Sequence, residues 1–170
     1  MKLSLCIPFA CLLSTSMTGV ASADPAEMPT KEIVLGPQLS AELKDGTHAV
    51  IGAQARFAVA MIAPNVRVDI MPEFNYYFFD HDIHGFDLSG SAVFAFGVHS
   101  DVAEPYALAG LGIFSVSCDG CDSETRIGFN IGGGVKFLPL GKVQPFVQMR
   151  FTIGDIDPIN LTGGVLFLLQ

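Results

Sequence analysis

The chain has 170 residues, of which 50% are hydrophobic and 15% charged, and a formal net charge of -8. Globular chains average roughly 25% charged residues, so part of this surface is prepared for a solvent other than water. The acidic balance, without clustered Lys and Arg, excludes nucleic acid as a partner, and the length suits one domain with a sizeable core.

The opening "MKLSLCIPFACLLSTSMTGVASA" carries Lys2, then an apolar run, then Ala21-Ser22-Ala23, the pattern of a cleaved secretory signal over residues 1–23. Cys6 and Cys11 leave with it, and Cys11 follows Pro8-Phe9-Ala10 rather than the triplet of a lipid anchor. Residues 24–30, "DPAEMPT", read as a short flexible lead-in. Beyond the leader no run approaches the roughly 20 apolar residues that a spanning helix needs. Only a closed β-barrel then remains as a way to cross a bilayer.

Period-two alternation recurs in about eight segments bounded by Gly, Pro, Asn or Asp, near 31–44, 47–61, 65–79, 84–98, 104–117, 124–138, 142–153 and 158–169. In the first, Glu42 and Lys44 oppose Leu39 and Leu43; in the second, Gln54 and Arg56 oppose Ala49, Ile51, Ala53, Phe57 and Val59. The third sets Arg67, Asp69, Glu73 and Asn75 against Val66, Val68, Ile70, Phe74 and Tyr76, and the fourth sets Asp87, Ser89 and Ser91 against Phe86, Leu88 and Phe94. The fifth contributes glycines, Gly110 and Gly112, and the sixth opposes Arg126, Asn130 and Lys136 to Ile127, Phe129, Ile131, Val135 and Phe137. Gln144, Gln148, Arg150 and Thr152 oppose Val143, Val147, Met149, Phe151 and Ile153 in the seventh, and Asn160 and Thr162 oppose Leu161, Val165, Phe167 and Leu169 in the eighth.

Alternation alone does not say which face meets solvent, because a soluble calycin-type barrel and a membrane barrel share the period with the faces inverted. Composition decides. A water-facing phase would be dense in Lys and Glu, whereas this polar phase is largely Gly, Ser, Ala, Asn and Gln with isolated charges. The Phe-rich phase would overfill an eight-stranded interior, which side chains only just fill. A lipid-facing Arg at midplane costs about 2 to 4 kcal/mol, and the alternation avoids placing one there. The expected fold is therefore an all-β, eight-stranded antiparallel up-and-down transmembrane barrel over 31–170, with Arg67, Asp69 and Glu73 inside. Its lumen would hold a polar network of Glu42, Arg56, Arg67, Asp69, Glu73, Asp87, Arg126, Lys136 and Arg150, near charge balance, with glycines such as Gly128, Gly132 and Gly134 leaving room for the arginines. Such a network plugs the bore and argues against a porin.

The stretches "PYALAGLGIF", "IGFNIGGGVKFLPLGKVQPFVQMRF" and "INLTGGVLFLL" resemble the last four strands of the small eight-stranded outer-membrane barrels of Gram-negative bacteria. The resemblance implies an outer-membrane location, both termini in the periplasm, contact with outer-membrane lipids and the barrel assembly machinery, and a monomer. It also implies roles in membrane integrity, contact with an extracellular surface partner or, more rarely, lipid modification. The chain departs from the pattern by ending Phe167-Leu168-Leu169-Gln170 instead of on an aromatic residue, and by lacking Trp, which leaves Phe and Tyr as interface anchors.

Candidate chemistry is sparse. "CDGC" reads as a structural Cys118–Cys121 disulfide in an outward loop, since no helix N-terminus or second ligand pair supports redox or zinc chemistry. "DHDIHG", with Asp80, His81, Asp82 and His84, has ligand types for a divalent cation, as do Asp155 and Asp157 in "GDIDPIN"; acidic rim loops ordinarily just solvate, and no metal or other cofactor is expected. His99-Ser100 resembles the base and nucleophile of lipid-cleaving barrels, but sequence neighbours on a strand face opposite ways. Gly132–Gly134 lacks the strand-to-helix setting of a phosphate loop and reads as packing relief. The sequence thus favours a non-enzymatic barrel with a structural or surface-interaction role. The rival readings are a soluble lipid-binding calycin-type barrel and a lipid-modifying acyl hydrolase or transferase.

Overall fold

The computed structural model describes residues 32–43, 48–78, 83–97, 102–118, 123–137, 142–154 and 158–169. Eight strands follow one another: β1 (Ile33–Glu42), β2 (His48–Ala63), β3 (Val66–Phe78), β4 (Ile83–Phe96), β5 (Ala103–Cys118), β6 (Glu124–Phe137), β7 (Val143–Gly154) and β8 (Ile159–Leu169). Each pairs antiparallel with the next, and β1 pairs with β8, so the sheet closes into a barrel without edges. The expected segments match these strands to within two residues at each end. The extra length of β2 comes with two register shifts against β3, between Ala58 and Ala60 and between Met61 and Ala63. These are bulges, each inserting a residue that the partner strand lacks.

Both ends of the chain path, Ile33 and Leu169, are register partners at one rim, here called the entry end. The other rim, where β1 passes to β2 and β3 to β4, is the far end. Connections between strands run from two residues, 64–65, to six, 97–102. At the closing seam the β1–β8 register passes from Leu35↔Phe167 to Gln38↔Gly164 without Gly36 and Pro37. Pro37 has no N–H to offer a ladder.

The two phases separate as the charge pattern required. Leu39, Leu88, Leu111 and Ile127 are among the most exposed side chains, at 67%, 55%, 62% and 66%, and Phe74, Phe86, Phe129, Phe151 and Phe167 share their face. No Asp, Glu, Lys or Arg belongs to that outward belt among the described residues. Inside lie Gln38, Gln54, Arg56, Asp69, Glu73, Asn75, Asp87, Asn130, Lys136, Gln148, Arg150 and Asn160, all buried. This is the inverse of what a soluble calycin-type barrel needs.

The interior is less polar than its expected composition. Met71, Val93, Ala95, Tyr106 and Leu108 form one buried apolar cluster, and Val34, Phe146 and Leu166 form a second with Leu168 packed on it. Two aromatic side chains fit because glycine faces them. Tyr106 and Gly134 are register partners, as are Phe146 and Gly164. A Cβ on Gly134 would stand 2.6 Å from the Tyr106 hydroxyl, and one on Gly164 would stand 2.7 Å from the Phe146 ring. Gly132 and Gly134 turn inward and Gly133 outward, so the triple glycine is packing relief on one face and bare backbone on the other.

Candidate functional site

The lumen is where the charged residues converge, and it is built in tiers along the axis. In the far half, Arg150 on β7 reaches across to the opposite wall. Its Nη1 donates to Glu73 at 2.8 Å and to the Ser89 hydroxyl at 3.0 Å, and its Nη2 donates to Asp87 at 2.7 Å. Arg150, Glu73 and Asp87 are all buried. The Asn75 amide braces the two acids, donating to Glu73 at 2.6 Å and to Asp87 at 3.2 Å, while Gln38 donates to the Asn75 carbonyl at 2.7 Å. Room for this arrangement comes from Gly112, where a Cβ would lie 3.0 Å from both Asp87 and Asn130. Tyr77 and Phe114 close the far side edge to face, with ring centroids 5.0 Å apart. The cavity left among Tyr77, Asp87, Asn130 and Arg150 is about 10 Å³, about one water molecule's worth.

At the entry end a second group surrounds Arg67 on β3. Its Nε donates to Asp69 at 2.8 Å and its Nη2 to Glu104 at 3.0 Å, with Glu32 3.8 Å from Nη1. Lys136 on β6 lies 3.5 Å from the same Glu104 carboxylate, and Gln144 donates to Glu32 at 3.2 Å. The Arg67 side chain is 20% exposed, so this group sits at the mouth.

Between the two groups lies Arg56 on β2. Its guanidinium carbon stands 4.2 Å over the Tyr106 ring and 5.5 Å from the Phe146 ring, a cation held between π faces. The Tyr106 hydroxyl donates to Gln148 at 3.0 Å. Gln54, two residues from Arg56 and register partner of Glu73, separates this guanidinium from the far group.

The nine residues expected to form one lumen network thus fall into four places. Arg150, Glu73 and Asp87 meet in the far half; Arg67, Asp69 and Lys136 meet at the entry mouth; Arg56 lies between them without an ion pair among the described residues, lining a small cavity with the entry group. Glu42 ends β1 at the far rim, half-buried. Arg126 is also at the far rim, where it donates to Glu124 at 3.0 Å and 2.8 Å with its side chain 33% exposed. The barrel's stagger sets these heights, since hydrogen-bonded partners on successive strands climb the axis. Glu104 and Glu32 were not among the expected acids. Glu104 shares its inward phase with Tyr106 and Leu108, and that phase was the available signal.

Several sequence candidates lie outside the described residues: the leader 1–23, the lead-in 24–30, the Cys118 side chain and Cys121, Asp80, His81 and Asp82, His99 and Ser100, and Asp155 and Asp157. His84 is described and points outward on β4, 2.9 Å from the Tyr76 hydroxyl with the two rings stacked. The described residues contain no group of three or more His, Cys, Asp or Glu placed to hold a metal.

No family model matches the sequence, and no curated protein matches it. Solved structures do. The N-terminal β-barrel domain of Pseudomonas aeruginosa OprF is 17% identical with a TM-score of 0.61, over 80% of this chain and 97% of that one. Ail, the attachment invasion locus protein of Yersinia pestis, is 17% identical with a TM-score of 0.58, over 82% and 97%. Neisserial surface protein A is 16% identical with a TM-score of 0.59, over 81% and 96%. The fold is that of the small eight-stranded outer-membrane β-barrels. Its apolar belt is a surface that hydrocarbon solvates and water does not.

Proposed function

We propose that this protein is a non-enzymatic, monomeric barrel of the outer membrane with a plugged polar lumen and a structural or surface-interaction role, not an open porin. The carrying observation is the pairing of Arg150 with Glu73 and Asp87 across the bore, backed by the aromatic and aliphatic side chains packed nearer the entry end. Hydrated ions crossing this lumen would have to separate buried ion pairs, which costs several kcal/mol per charge left buried and unpaired. The structural role follows from what remains: an apolar belt that lipid solvates and a bore that admits no solute. On this reading the entry end faces the periplasm, and a Cys118–Cys121 bridge lies in an outward connection.

Reconstitution into planar bilayers tests the reading. We expect no stepwise conductance from the refolded barrel at moderate voltage. Regular open steps comparable to those of a porin would overturn the plug, and recovery of the native protein from the soluble periplasm without detergent would overturn the membrane location. Acyl release or transfer from lipid in detergent, lost on replacing His99 or Ser100 by Ala, would replace the non-enzymatic reading with the lipid-modifying one.

A further inference from the structure

Arg56 is a buried full charge with no acid beside it. It is 3% exposed, and among the described residues no carboxylate lies within ion-pair distance of it. Among the described residues its Nε and Nη2 have no hydrogen-bond partner. The rings of Tyr106 and Phe146 compensate part of the charge, but a π face offers no acceptor in the guanidinium plane, where these two N–H groups point.

Arg56 lines a cavity of about 10 Å³ together with Glu32, Val34, Arg67, Asp69 and Lys136. That volume accommodates one particle the size of a water molecule. The cluster around it has three cations, Arg56, Arg67 and Lys136, and three acids, Glu32, Asp69 and Glu104. The acids are not evenly shared. All three contact Arg67, and Glu104 also serves Lys136. Arg56 is left with two free donors and, among the described residues, no carboxylate in direct ion-pair contact.

We propose that this cavity is a binding site for a single small inorganic anion, of halide size, held by Arg56 Nε and Nη2 with Lys136 as the second cation. Water would satisfy the donors, whereas an anion would also give the guanidinium the direct charge partner that the carboxylates around Arg67 do not supply, and a buried charge without a close partner is costly. Larger anions such as gluconate do not fit the volume. The site lies below the Arg150 pairs, so occupancy stabilises the barrel without opening it.

The refolded full chain provides the test. Crystals soaked in bromide should show an anomalous peak within hydrogen-bond distance of Arg56 Nε and Nη2. In solution, replacing gluconate by chloride at constant ionic strength should raise the unfolding midpoint, with the half-effect at a concentration at least tenfold lower than in Arg56→Gln. Lys136→Met, which keeps the guanidinium, should weaken the chloride response in the same direction and serves if Arg56→Gln does not refold. Bromide only on exposed cations, an adventitious ion only, would overturn the proposal. So would a chloride response that is absent from the wild type or unchanged in both variants.

Discussion

Arg150 and Arg56 are both buried to the same degree in one lumen, yet the barrel neutralises them by different means. Arg150 has two carboxylates, a hydroxyl and a bracing amide. Arg56 has two aromatic rings and, among the described residues, no acid within ion-pair distance. The contrast shows that placing a cation on the inward phase does not determine what meets it there. The opposite wall decides, and stagger sets which part of that wall is level.

The largest test of the contrast removes each charge in turn. Arg150→Leu leaves Glu73 and Asp87 buried and unpaired, so urea titration in vesicles should show a loss of about 3 to 5 kcal/mol. Arg56→Leu strands no acid and forfeits a desolvated cation–π contact, so its loss should stay at or below about 2 kcal/mol. Equal losses would erase the distinction between the two tiers.

The belt provides the next comparison, inside against outside on one strand. Leu111, near the middle of β5, is 62% exposed to the lipid face, and Leu111→Arg should cost about 2 to 4 kcal/mol. That cost should vary with bilayer thickness, whereas the Arg150→Leu cost should not. A water-soluble probe at position 111 reporting full aqueous exposure would invert the assignment of faces.

A smaller effect separates the apolar tier from the charged ones. Gly134→Val drives a side chain against the Val147 backbone carbonyl as well as the Tyr106 hydroxyl, the latter 2.6 Å from the new Cβ, and overpacking of this kind costs about 1 to 3 kcal/mol. The companion change Tyr106→Ala should restore part of it in a double-mutant cycle, and strict additivity would show that the two do not touch. Least of all, Glu124→Gln at the exposed far rim should leave the unfolding midpoint unchanged, because water and salt screen that pair with Arg126.

The strands were legible because their period of two is strict and every internal charge keeps one phase. The direction of the faces was legible from the same residues. The bulges of β2 were not, since "AVAMIA" at 58–63 has no polar residue to mark a change of phase. Phe146 and Tyr106 share their phase with Gln144, Gln148 and Glu104, so their inward placement was available to a full phase count. Which acid meets which arginine was not. Gln54 and Glu73 are register partners on adjacent strands, while Arg150 meets Glu73 across the bore, and only the closed geometry relates those two distances.

The connections of two to six residues carry a consequence for the living cell. A chain extends at most about 3.3 to 3.6 Å per residue, so a six-residue connection that leaves and returns rises only about 10 Å. The headgroup layer on each side of a bilayer is about 5 to 8 Å deep. A protease or an antibody approaching an intact cell would therefore meet only strand ends and the short connections that join them, and surface shaving that strips longer-looped neighbours should cut this barrel more slowly.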